Sequence, residues 1–290
     1  MLPYMTASSR TNFLGWAKGA EDAGFNTVTL GERMTYPAFA QNVGLAAAAA
    51  VTERVKLMAN ITIVPAHPVG LLAKELASLD VLSEGRYILC VGVGDREQDY
   101  RVCDATMERR WPRADEMVRH MKRIWAGEPL EPGHAPVRPA PYTDGGPPIW
   151  IGSRGPKALA RAARFGATGF AGFVTNYDRA QLVEQRDLAL QAWEEAGRTD
   201  KPYLFVSCFV GLGPDAAEMM HATARSYWDG WAPPEMADEI AAQMLCNNEA
   251  AVHQLFDTAE DVGFEEVNLL PMTDDLAELE RFQKIVASRS

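Results

Sequence analysis

The chain has 290 residues, 47% hydrophobic and 23% charged, with 28 Lys and Arg against 39 Asp and Glu and a formal net charge of −11. This balance describes an ordinary globular chain with a sizeable core and argues against a nucleic-acid footprint, and no Lys/Arg-rich run contradicts it. No stretch has the length and apolarity of a membrane span, the start reads as lacking a leader, and Cys90, Cys103, Cys208 and Cys246 show no paired spacing; the expectation is buried thiols in a reducing cytoplasm.

In chain order, Met1 to Tyr4 reads as the tail of a strand. Asn12 to Ala23 has helical spacing (Phe13, Leu14, Ala17, Ala20) and Gly24 as its stop. The strand FNTVTL follows, ending in Gly31-Glu32-Arg33, and then an Ala-rich helix from about Phe39 to Thr52. From Val55 the chain reads as one unit: a β-branched run from Ile61 to Val64, a helix carrying Leu72, Leu76 and Leu79, a turn at Ser83-Glu84-Gly85, and a strand from Tyr87 to Val93. Two nearly all-apolar strands around a helix indicate a parallel pair buried on both faces, joined by a right-handed crossover.

Beyond Tyr100, a helix from Arg113 to Trp125 sets Met117, Val118, Met121, Ile124 and Trp125 on one side. Glu128 to Pro148, rich in Pro and Gly, reads as a long ordered loop. Then come a short strand PIWI with a glycine turn and helix, a strand from Thr168 to Val174, and a helix from Arg179 to Ala196. The strand YLFVSCFVG follows, then a helical stretch from Pro214 to Leu255 broken at Pro233-Pro234, the strand EEVNLLP, and a terminal helix from about Asp275. Seven strands and a short first one, each followed by helix, fit an eightfold β/α barrel spanning 1–290 as one domain, with an open doubly wound sheet as the alternative.

Two glycine turns carry the candidate chemistry. Gly92-Val93-Gly94-Asp95 lacks the third glycine of a dinucleotide fingerprint. Gly152-Ser153-Arg154-Gly155 lacks a GK[ST] ending, but it sets a hydroxyl, a guanidinium and backbone N–H groups before a helix starting at Pro156. That suits a phosphate monoester; the alternative is a tight turn with a solvated arginine. His67, between prolines, is either a packed loop residue or a site residue. Glu32 and Arg33 end a strand, where barrels place functional groups, or they form a structural ion pair. Asp99 reads as a helix cap. Asn60, an amide in an apolar strand, requires a backbone irregularity or a ligand nearby. His120, His134, His221 and His253 do not cluster at metal spacing, neither HExxH nor GxSxG occurs, and no metal site is expected.

The stretches AEDAGFNTVTLGER, ITIVPAHPVGLLAKELASLDVLSEGRYILCVGVGDREQDY, RIWAGEP and PPIWIGSRGPKALARAARFGATGF resemble the luciferase-like flavin-dependent monooxygenase family, which also includes oxidoreductases using the deazaflavin coenzyme F420. The resemblance covers nearly the whole chain. It implies a (β/α)8 TIM barrel with insertion segments, here with a short or incomplete first strand, usually assembled as a homodimer. By the same resemblance Gly152, Ser153, Arg154 and Gly155 hold the cofactor phosphate, and Gly92, Gly94 and Asp95 pass beneath it. Asn60, Ile61 and Thr62 run along the ring, often with a non-prolyl cis peptide.

The family commonly has a histidine where this chain has Arg33, which with His67 is the candidate catalytic group. A guanidinium can orient substrate or stabilise negative charge but is a poor proton donor. The implied function is an FMNH2-dependent monooxygenase, supplied with reduced FMN by a separate reductase and oxidising a small organic substrate. F420-dependent hydride transfer and a non-catalytic flavin-binding homologue are the alternatives. Tyr227, Trp228 and Trp231 form either a lid or pocket wall, or a core or dimer contact.

Overall fold

The computed structural model describes residues 1–3, 5–153, 155–228 and 232–289. Among them seven strands run parallel in chain order: β1 Thr27–Leu30, β2 Lys56–Ile63, β3 Tyr87–Gly92, β4 Ile149–Ile151, β5 Gly169–Val174, β6 Tyr203–Val210 and β7 Glu266–Pro271. The helices are α1 Arg10–Asp22, α2 Gln41–Ala49, α3 Val69–Leu82, α4 Glu97–Val102, α5 Arg110–Trp125, α6 Pro156–Phe165, α7 Arg179–Glu195, α8 Ala216–Trp228, α9 Pro234–Ala242, α10 Glu249–Val262 and α11 Leu276–Ala287. None is long and apolar enough to cross a membrane.

The sheet curls into a nearly closed barrel, which decides against the open sheet. The first and last helices are neighbours: the rings of Trp16 and Phe282 meet edge to face at 5.9 Å, and Trp16 Nε1 donates to Asp274 O at 3.0 Å. Residues 1–3 are not a strand, yet they lie between β1 and β7. Leu2 N donates to Thr29 O and Met1 N to Leu269 O, both at 2.8 Å, and Leu2 is fully buried. One bond to each flanking strand covers edges that would otherwise present unpaired backbone groups.

Local chemistry explains most boundaries. Ser9, Asp178, Asn248 and Asp275 each accept a backbone N–H in the first turn of the helix they precede, satisfying donors that no helical carbonyl can reach. Pro156 is the first residue of α6 and Gly155 its N-cap, the position a proline favours. Pro233-Pro234 separates α8 from α9, with Pro233 as the N-cap of α9. The buried side of α5 is Met117, Val118, Met121, Ile124 and Trp125, as its spacing predicts. The long loop from Ala126 to Pro148 is fastened by Asp80, a fully buried residue of α3, whose carboxylate accepts from the backbone N (2.8 Å) and Oγ1 (3.1 Å) of Thr143.

Two charged groups tie strand ends to their neighbours. Glu21 of α1, 7% exposed, accepts from the backbone N–H groups of Glu53, Arg54 and Val55 at the entry to β2. Burial alone would raise its pKa, but these bonds hold its carboxyl below the usual range. At the other end of the barrel, Glu32 Oε2 accepts from Ile63 N at 2.6 Å while Oε1 meets His67 Nε2 at 2.9 Å. Burial opposes a charge on His67, and the Glu32 contact outweighs it, so the imidazole pKa lies above its ordinary value.

These two groups give opposite pH dependences. Glu21→Gln should lower stability at pH 7 by about 1–3 kcal/mol, because an amide cannot accept all three buried N–H groups. A depressed carboxylate stabilises above its unfolded pKa, so this deficit should shrink as pH falls through the folded value. A raised histidine does the reverse. His67→Gln should cost most below pH about 6.5, and the difference should vanish as pH rises through the folded value of His67. Urea midpoints of the parent and both variants between pH 3.5 and 9 check both signs.

Candidate active site

The C-terminal ends of the strands open on a cavity of about 370 Å³. Its floor is shaped by an irregularity in β2. Asn60 pairs with Cys90 of β3 and Thr62 with Val91, leaving Ile61 as an extra residue, and the Asn60–Ile61 peptide is cis. The expected irregularity beside Asn60 is therefore present. Ile61 projects its side chain into the cavity over two glycines. A Cβ on Gly92 would lie 1.9 Å from Ile61 Cδ1, and one on Gly152 2.1 Å from Ile61 Cγ2, distances no real side chain tolerates.

Gln41 of α2 holds this bulge. Its Nε2 donates to Leu30 O (2.8 Å) and Ile61 O (3.0 Å), while its Oε1 accepts from Thr62 Oγ1 at 2.8 Å. Thr62 is thereby fully buried in the strand layer and does not line the cavity, contrary to the expectation that it runs along a ligand. Beside Ile61 lies a polar relay. Asn60 Nδ2 (3.1 Å) and Asn268 Nδ2 (3.0 Å) both donate to Ser207 Oγ, and Thr29 Oγ1 donates to Asn268 Oδ1 at 3.3 Å.

Arg33 lines one wall. It does not pair with Glu32; its Nη1 donates to Asp99 Oδ2 at 2.8 Å and lies 3.6 Å from Asp95 Oδ1. Asp99 is not the cap it resembles. The N-cap of α4 is Arg96, and Asp99 is fully buried, accepting also from Met34 N at 2.9 Å. Burial opposes the charge on Arg33, but Tyr227, Asp95 and Asp99 raise its pKa, so it is a fixed cation and no proton donor. Its guanidinium carbon sits 5.7 Å from the Tyr36 ring centre and 5.4 Å from that of Tyr227, and Arg96 lies 4.8 Å from the latter, within cation–π range. The Tyr36 hydroxyl (2.7 Å) and the Arg96 guanidinium both donate to the Tyr227 carbonyl, fixing the last turn of α8 to this wall. Such donors favour a helix C-terminus.

From Tyr227 the lining continues as an aromatic wall. Phe173 and Phe209 meet edge to face at 5.3 Å, and Tyr227 and Trp228 at 4.7 Å. Tyr227 and Trp228 are thus both cavity wall and core of the α8–α9 layer, while Trp231 lies outside the described residues.

Gly94, Asp95, Gly152 and Ser153 line the cavity with Arg33, Asn60 and Ile61. Gly92 sits beneath Ile61, and Gly155 caps α6, donating its N–H to Ser153 Oγ at 3.3 Å. Arg154 lies outside the described residues. His67 does not reach the cavity; it stands behind Glu32, which does. Sequence reasoning missed Gln41, Arg96, Ser207 and Asn268, and read Asp99 only as a cap. Ser207 and Asn268, polar residues within apolar strands, left the same local signal as Asn60.

Residues 3–266 match the sequence model of luciferase-like monooxygenases. An F420-dependent glucose-6-phosphate dehydrogenase of Microbacterium testaceum is 30% identical over 260 residues, covering 79% of this chain and 73% of that enzyme. Among solved structures, a monooxygenase from Streptomyces bottropensis has a TM-score of 0.76 at 21% identity, covering 98% of this chain and 95% of that one. An F420-dependent secondary alcohol dehydrogenase in complex with an F420–acetone adduct has a TM-score of 0.77 at 16% identity, covering 98% and 96%. With a match running through all but the last strand and helix, the chain belongs to the luciferase-like monooxygenase family.

Proposed function

We propose that this chain is an oxidoreductase that holds a flavin or deazaflavin over the strand ends and acts on a small organic substrate. The observation that carries this is the Ile61 platform: an apolar side chain set into the cavity by a bulge, with Gly92 and Gly152 clearing the space beneath it. Such a surface fits the flat face of a tricyclic ring. Ser153 and the turn into α6 suit the phosphate, with Gly152, Gly94 and Asp95 along the connecting chain and Asn60 at the ring edge. Arg154 and Gly155 belong to this phosphate assignment on sequence grounds. The cofactor, when bound, supplies the two-electron chemistry.

F420-dependent hydride transfer is the first reading. The 30% identical relative carries that cofactor in its name. Arg33, a fixed guanidinium, can hold a substrate oxygen as its charge grows, and the proton that this oxygen gains or loses is exchanged with water. FMNH2-dependent monooxygenation, with a separate reductase, is the second reading, favoured by the family's description and by the fold shared with the Streptomyces monooxygenase. In either case His67 acts through Glu32 and not on the substrate. Exposed Val43, Leu71 and Leu82 on α2 and α3 support a homodimer.

Fluorescence titration of the full chain with F420 and with FMN, followed by mixing each reduced complex with oxygen, tests the choice. The first reading expects F420 to bind at least about tenfold tighter, equivalent to ~1.4 kcal/mol, with substrate-independent oxygen uptake absent. Tight FMN binding with rapid oxygen reaction selects the second, and binding of neither overturns both. Gly152→Ala should push Ile61 upward, costing about 1–3 kcal/mol of stability and weakening the bound cofactor about tenfold or more. Unchanged affinity in the folded variant would remove Ile61 from the ring site.

A further inference from the structure

The relay on the cavity floor leaves one proton without an acceptor among the described residues. Thr29, fully buried, donates to Asn268 Oδ1, which orients the Asn268 amide so that its Nδ2 donates to Ser207. Asn60 Nδ2 donates to the same oxygen. A serine hydroxyl has two acceptor positions and one proton to donate. Both acceptor positions are taken, at 3.0 and 3.1 Å, so the hydroxyl proton of Ser207 must point elsewhere. Ser207 is 4% exposed, lines the cavity, and donates to no described residue. The cavity is the remaining direction. Asn60 lines the same cavity, and with its Nδ2 on Ser207 its Oδ1 accepts from no described residue.

We propose that the Ser207 hydroxyl and Asn60 Oδ1 form a donor–acceptor pair that recognises a cis-amide edge, O=C–N–H, and that its ligand in this site is the pyrimidinedione edge shared by flavins and deazaflavins. The proposal deepens the redox-cofactor reading and rests on it. The carbonyl of that edge accepts from Ser207, and its N–H donates to Asn60. Asn60 directly precedes Ile61, so a flat ring lying on the Ile61 platform brings its rim, and not its face, to the pair. Asn268 and Thr29 do not touch the ligand; they are positioning residues that fix the direction of the serine proton. A buried donor held in place before the ligand arrives loses little on binding, and leaving it unmatched is costly.

The test compares F420 and FMN with their N3-methylated derivatives in fluorescence titrations of the full chain. Uracil and 3-methyluracil are compared in parallel by saturation-transfer NMR on the cofactor-free protein. We expect N3-methylation to weaken whichever cofactor binds by about three- to tenfold, the scale of one hydrogen bond. Uracil should give a signal that 3-methyluracil does not, and Ser207→Ala should abolish that preference. Because Ser207→Ala leaves two amide donors without an acceptor, the wild-type methylation comparison carries the test if that variant does not fold. Cofactor binding that is indifferent to N3-methylation overturns the edge pair and leaves the redox reading standing. A uracil preference without binding of either cofactor supports the pair and overturns the redox reading. Absence of both overturns the two together.

Discussion

The site depends on one extra residue in a buried parallel strand. Inserting Ile61 between Asn60 and Thr62 breaks the ladder with β3 and leaves a carbonyl and a side chain to be accommodated. Inside a barrel neither can be abandoned: the carbonyl needs a donor and the side chain needs volume. Gln41 supplies the donor from α2, and Gly92 and Gly152 supply the volume from the two following strands. Three elements are therefore committed to a single backbone irregularity, and the cavity floor takes its shape from that commitment.

The charges around the cavity follow a similar logic. Arg33 is held in place by Asp99, which is itself inaccessible and spends its second oxygen on the backbone of Met34. Tyr36 and Tyr227 flank the guanidinium, and the Tyr227 carbonyl gathers a hydroxyl and a second guanidinium. A cation desolvated in this way is tolerated because its partners are fixed before any ligand enters. Glu32 is handled separately by Ile63 N and His67. The cavity thus has a polar, preorganised side and an aromatic side built from Phe173, Phe209 and Trp228, a division suited to a ligand with one hydrogen-bonding edge and one apolar face.

Periodicity and turn chemistry made much of the molecule legible in advance. The all-apolar strands, the glycine and proline stops, the helix starts at Asp275 and Pro156, and the inward side of α5 all follow from interactions within a few residues. Gly92 and Gly152 could be singled out, and so could the misfit of Asn60. Their actual roles could not, because the atom that requires both glycines is a side chain from a third strand, about 30 and 90 positions away along the chain.

Pairings fixed by closure were hidden for the same reason. Arg33 finds Asp99 across 66 positions, Ser207 finds Asn60 across 147, and Cys208 and Cys246, with no meaningful spacing, come to 3.6 Å in the core. Each chain-local reading had a plausible nearer partner: Glu32 for Arg33, a helix N-terminus for Asp99. The sequence by itself determined the alternation of strand and helix, since this rests on propensity and short-range hydrogen bonding, and its motifs carried the family. Only the tertiary structure decided which polar groups face the cavity. Barrel closure sets side chains from distant strands side by side, and burial then makes their partners one another.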